Sequence, residues 1–116
     1  MRDYIITLMN EAGLSVRIDA FGNVIGRREG NDPQLPAVLV GSHTDSVPEG
    51  GNFDGVIGVL GGIEIARHFS ESRLSHDHPL EIILFMCEES SRFGAATLGS
   101  RAMRGELSMQ DLKTLH

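Results

Sequence analysis

Two short, aliphatic-rich runs, AVLVGS at 37–42 and LEIILFMC at 80–87, constrain this chain more than any other feature. A run of that kind suits a strand covered on both faces, the usual state of strands in parallel sheets. Between the two runs the pattern turns helical. Val56, Leu60, Ile63, Ala66 and Phe69 or Ser70 mark an apolar face, with Glu64, Arg67, His68 and Glu71 opposite. The spacing predicts strand, crossover helix and strand, a βαβ unit with parallel strands. Gly58, Gly61 and Gly62 interrupt the helix, each at a cost of about 1 kcal/mol relative to alanine. Close packing of the helix backbone against the sheet accounts for them.

Upstream, Tyr4, Ile5, Leu8, Met9 and Ala12 recur at helical spacing over 3–12, and Gly13 is placed to end that helix. Val16 and Ile18 then alternate with Arg17 and Asp19, and Gly22-Asn23 turns the chain into Val24-Ile25, the pattern of a hairpin. NDPQLP at 31–36 and SRLSHDHP at 72–79 are loops by their turn residues. Residues 88–108 read as loop mixed with short helix, and Ser108 is placed to cap a last turn over MQDLKTLH, 109–116. The fold class expected is α/β, a parallel βαβ core with an N-terminal helix and hairpin. All 116 residues form one unit, thin for an independent α/β domain, which usually carries more strands.

Charge and cysteine usage narrow the function classes. A formal net charge of −6 repels the phosphates of a nucleic-acid partner and suits a cation site. The longest aliphatic stretch, IILFMC at 82–87, is too short to cross a bilayer. The first residues lack the apolar core of a signal peptide. Cys87 is the single cysteine, which rules out an intramolecular disulfide and fits a reducing compartment. A cytoplasmic location is the expectation, with Cys87 packed in its strand.

Ligands of open parallel sheets bind beyond the carboxyl ends of the strands. Both aliphatic runs end in ligand-type residues there: Ser42-His43-Thr44-Asp45 after the first, Glu88-Glu89 after the second. Asp54 arrives on a Gly50-Gly51 loop just ahead of the crossover helix. Imidazole and carboxylate together suit zinc, manganese, cobalt or nickel. A carboxylate can bridge two metals, and Asp54 is the natural candidate. Asp45 is placed to accept the His43 N–H and fix its tautomer. One of the paired glutamates could bind metal while the other moves a proton. Each feature alone is weak evidence: His-x-Asp is more often a satisfied histidine, and Glu-Glu a solvated turn. Their convergence is what points to a metal. His68 falls on the wet helix face, and His76 and His78 on a solvated loop. No Gly-x-Ser-x-Gly, Walker-type or dinucleotide signature is present.

GSHTDSVPEGGNFDGVIGVLGGIEIAR, followed by EIILFMCEESSRFG and LGSRAMRGEL, resembles the N-terminal part of the hydantoinase/carbamoylase branch of binuclear metallo-amidases. That branch includes N-carbamoyl-L-amino-acid amidohydrolases and allantoate amidohydrolases, and shares its core with zinc aminopeptidases and deacylases. EAGLSVRIDAFGNVIGRREG extends the resemblance over nearly the whole chain, and EESSRF separates the branch from the aminopeptidases. The resemblance implies a partial zinc-aminopeptidase-like catalytic domain holding two divalent ions. His43 and Asp54 would be ligands, with Asp54 bridging. Glu89 would be a ligand of the second metal, Asp45 the carboxylate that orients His43, and Glu88 the general base. It implies hydrolysis of a carbamoyl or ureido C–N bond in a small-molecule substrate. It also implies a longer chain that supplies two more histidine ligands and a dimer-forming domain. His116 and the 76–78 pair lie outside the implied ligand set. The expected alternatives are a non-catalytic segment that self-associates or pairs with a missing chain, and an aminopeptidase or deacylase of the same superfamily.

Overall fold

The computed structural model describes residues 1–115. In chain order the elements are α1 (Arg2–Glu11), β1 (Ser15–Ile18), β2 (Val24–Arg28), β3 (Val38–Ser42), α2 (Val56–Glu71), β4 (Leu80–Leu84), α3 (Leu98–Met103) and α4 (Met109–Lys113). The four strands make one mixed sheet in the order β1-β2-β4-β3. β3 and β4 are parallel neighbours, in register from Val38 opposite Leu80 to Ser42 opposite Leu84. The βαβ unit is therefore present. The hairpin extends the same sheet, because β2 pairs antiparallel with β4, Val24 opposite Leu84.

α1 ends as its glycine predicts. Gly13 takes φ +82°, its N–H donates to the Asn10 carbonyl, and the Leu14 N–H reaches back to the Met9 carbonyl. This is the paired closure that left-handed glycine allows. Ile5, Met9 and Ala12, one face of α1, join Leu14, Val24, Val59, Ile63, Ala66, Leu80, Ile82 and Leu84 in the core on one side of the sheet. On the other face Glu81 sits between Arg17 (2.9 Å) and Arg27 (3.2 Å). Ser108 caps α4 as expected: its hydroxyl accepts the Asp111 N–H while the Asp111 carboxylate accepts the Ser108 N–H. Residue 116, the end of the expected last turn, lies outside the described residues.

Three expectations need correction. The run 37–42 is not covered on both faces. β3 is an edge strand with Val38 and Leu39 53% and 56% exposed, whereas β4, between β2 and β3, is buried throughout. A continuous aliphatic run reports apolar side chains on both faces, not what covers them. The buried face of α2 is Val59, Gly62, Ile63 and Ala66; Leu60 points outward. Glycines set that rotation. A Cβ at Gly58 would lie 2.6 Å from the Ser42 side chain, and one at Gly62 3.0 Å from Ile82, while Gly61 faces open space. Two of the three glycines thus admit close approach to the sheet. Finally, β4 stops at Leu84, not at residue 87, so Cys87 lies beyond the strand in a left-handed turn, φ +54°.

Candidate metal centre

Parallel pairing of β3 and β4 puts their carboxyl ends side by side, and three ligand-type side chains meet there. One donor atom each from His43, Asp54 and Glu89 lies within 4.8 Å of the others, the one such group among the described residues. His43 follows β3 by a single residue and is 8% exposed. Asp54 comes on the loop leading into α2, and Glu89 five residues past β4.

The imidazole is oriented by main chain. His43 Nδ1 lies 2.9 Å from the carbonyl oxygen of Asp45. A carbonyl only accepts, so Nδ1 carries the proton and Nε2 keeps its lone pair for the site. The sequence expectation assigned this bond to the Asp45 carboxylate. That group stands 3.7 Å from Nδ1, and its Oδ2 accepts the Glu89 N–H at 2.9 Å instead. Asp45 thus links the two arms of the site, the ring through its carbonyl and the Glu89 backbone through its carboxylate. Glu88 reaches the free side of the ring, Oε2 3.6 Å from Nε2.

Gly55 is a residue that sequence reasoning passed over. A Cβ there would fall 2.5 Å from His43 Cε1 and 2.6 Å from either ring nitrogen, so its backbone lies flat against the imidazole. It adopts φ +68°, the region glycine enters freely. Its carbonyl accepts the Ser42 hydroxyl at 2.8 Å, tying the start of α2 to the end of β3. The signal available was the Asp-Gly step at 54–55, indistinguishable by itself from an ordinary turn.

Electrostatically the site gathers negative charge. Burial pushes the Glu89 carboxyl above its ordinary value, and a hydrogen bond with Asp54 and the charge of Glu88 push the same way. Carboxylates held together against their repulsion are what a divalent ion relieves. Burial also raises the Cys87 thiol, with the Asp45 charge adding to it, which leaves it a poor nucleophile. The remaining histidines stand apart. His68 is exposed on α2. His76 and His78 each turn Nδ1 to a carbonyl, of His78 (2.6 Å) and Pro36 (2.8 Å), at the opposite end of the sheet.

Known proteins share this sequence and fold. Residues 23–114 match the model of peptidase family M28. The chain belongs to that family. It is 54% identical over 105 residues to an N-carbamoyl-L-amino-acid amidohydrolase of a Pseudomonas strain, an alignment covering 90% of this chain and 25% of that protein. With a ureidoglycolate hydrolase of Arabidopsis thaliana it shares 48% identity over 114 residues, 97% of this chain and 24% of that one. The crystal structure of a hydantoinase/carbamoylase family amidase from Burkholderia ambifaria superposes with a TM-score of 0.92 at 43% identity. That match covers 99% of this chain and 28% of the amidase. The resemblance read from the sequence therefore holds, and this member of family M28 spans about a quarter of the length of the relatives it matches. Among its described residues no helix is long and apolar enough to cross a membrane.

Proposed function

We propose that this chain is the segment of a metal-dependent amidohydrolase that carries His43, Asp54 and Glu89 as ligands, acting on the carbamoyl or ureido C–N bond of N-carbamoyl-amino-acid-type substrates. The observation that carries the reading is the approach of those three donors to within 4.8 Å at the carboxyl ends of two parallel strands. One imidazole and two carboxylates fit zinc, manganese, cobalt or nickel, and Gly55 packs closely against the ring. The completed site would hold two ions, with His43, Asp54 and Glu89 the part of the ligand set that this chain contributes. When bound, the metal supplies Lewis-acid polarisation and a water of lowered pKa.

The rest falls to this chain's own side chains. His43 presents Nε2 because the Asp45 carbonyl holds the proton on Nδ1. Glu88, beside that nitrogen and one-third exposed, has the position of a general base: it takes a proton from the attacking water and returns it to the leaving nitrogen. Cys87, unpaired and half-buried, supports a reducing, cytoplasmic setting. The domain is proposed to be partial over 1–116, so turnover by the isolated chain is expected to be low. Exposed Val38 and Leu39 on the β3 edge support self-association or pairing with a further chain.

The test is a graft. Substituted for the matching quarter of the Pseudomonas relative, this segment should sustain ammonia release from an N-carbamoyl amino acid. Glu88→Gln in the graft should lower the rate by about a hundredfold or more. A folded, metal-loaded graft that cleaves dipeptides and leaves carbamoyl substrates intact would favour the aminopeptidase reading.

A further inference from the structure

Asn23 is fully buried, 0% exposed, in the hairpin loop between β1 and β2, and it is not among the candidate ligands. Its local role in the turn is already filled by Asp19, whose Oδ1 accepts the N–H groups of Phe21, Gly22 and Asn23 at 2.9–3.0 Å. The Asn23 amide does something else. Its Nδ2 donates to Asp19 Oδ2 (2.8 Å) and to the Gly99 carbonyl (3.0 Å), and its Oδ1 accepts the Met86 N–H (2.9 Å). One side chain thus joins the hairpin loop, the exit of β4 and the start of α3.

Met86 is the residue from which the chain turns into Cys87, Glu88 and Glu89. The opposite side of this segment is held by α3: the Gly99, Leu98 and Thr97 N–H groups donate to the Met86, Cys87 and Glu88 carbonyls at 2.9, 3.0 and 2.7 Å. Cys87 and Thr97 both take positive φ, +54° and +58°, conformations unfavourable for a non-glycine residue that persist only where surroundings enforce them. Gly99 is part of the same arrangement, because a Cβ there would run into Asn23 Oδ1 and the Met86 main chain. From these contacts we infer that Asn23 is a positioning residue: by capturing the Met86 N–H it ends β4 and directs Glu88 and Glu89 toward His43. The inference rests on the metal reading for its consequence, and on the hydrogen bonds alone for its geometry.

Chemistry restricts the position to an amide. Aspartate would lose the donor to Gly99 and face the Asp19 carboxylate. An aliphatic residue would strand the Met86 N–H and the Gly99 carbonyl in the interior.

The experiment compares Asn23→Ala and Gly99→Ala, which disturb the contact from its two sides, with Ile5→Ala, a core truncation on α1. All are made in the 116-residue chain and checked for folding by thermal unfolding. Zinc affinity by titration calorimetry should fall about ten- to a hundredfold in both clamp variants, the usual range for partners that orient ligands, and change less than about twofold in Ile5→Ala. In amide NMR spectra of the zinc-free proteins, the Met86, Glu88 and Glu89 signals should shift in the clamp variants and not in Ile5→Ala. Gly99→Ala keeps every Asn23 atom, so it decides the question if Asn23→Ala does not fold. Unchanged zinc affinity in a folded clamp variant overturns the inference. If the wild-type chain binds no zinc, the metal reading fails separately, and the Glu88 and Glu89 amide shifts still decide for or against Asn23.

Discussion

The stretches SHTDS at 42–46 and SHDHP at 75–79 are close in pattern, and the structure sets them at opposite ends of the same strand pair. In both, a histidine turns Nδ1 to the carbonyl of the residue two positions on, at 2.9 Å for His43 and 2.6 Å for His76. What reaches Nε2 separates them. His43 Nε2 faces Glu88, with Asp54 and Glu89 close by. His76 Nε2 is occupied by Arg28 Nε at 3.1 Å, and the same guanidinium holds the Ser70 hydroxyl at 2.8 Å. One histidine has its remaining lone pair among carboxylates, the other spends it on a cation. A histidine near an aspartate, its Nδ1 held by the carbonyl two residues on, is therefore not by itself a ligand signal; the elements that arrive from elsewhere in the chain make it one.

The difference can be broken at either end. His43→Ala carries the largest expected effect: zinc affinity should fall by about a hundredfold or more, beyond the range for groups that only orient a ligand, with thermal stability little changed. Arg28→Ala should do the reverse. It removes a charged donor from His76 and Ser70 and should destabilise the fold by about 1.5–3 kcal/mol in urea titrations, leaving zinc affinity intact. His76→Ala should cost about 1 kcal/mol and likewise spare zinc. His68→Ala, on the exposed face of α2, should stay within about 0.5 kcal/mol of wild type in the same titrations.

Acid sharpens the comparison, since two carboxylates are shifted in opposite senses. Burial alone would raise Glu81, but hydrogen bonds from Arg17 and Arg27 outweigh it and hold its folded value below the ordinary 4.5. Its contribution to stability is complete above 4.5 and disappears as the pH falls through the lower folded value. Glu89 is raised by burial and by its carboxylate neighbours, so its favourable state is the protonated one, and that contribution is lost as the pH rises through the folded value. In metal-free protein, Glu81→Gln should thus be less stable than wild type near neutral pH, and Glu89→Gln more stable. Both differences should shrink on acidification, as followed by urea midpoints.

The convergence of His43, Asp54 and Glu89 was legible because two aliphatic runs, each followed by polar chemistry, imply neighbouring parallel strands whose ends meet. Ser108 and Gly13 were legible because caps are local. The exposure of Val38 and Leu39 was not, since an edge strand and a central one share the same aliphatic pattern. The pairing of β2 with β4 and the bonds of Asn23 to Gly99 and Met86 span more than fifty residues, and no local period encodes them. The choice of the Asp45 carbonyl over its carboxylate escaped for another reason: residue types give the inventory of acceptors, and backbone geometry decides which one the ring meets.

The most direct test is native mass spectrometry of the 116-residue chain with added zinc, comparing wild type with His43→Ala, Asp54→Ala, Glu89→Ala and the His76→Ala/His78→Ala pair. Ligation by His43, Asp54 and Glu89 requires specific zinc on the wild-type chain, lost in each of the first three variants and retained in the loop pair. Zinc retained in His43→Ala and lost with His76 and His78, or no specific zinc on the wild type, would contradict it.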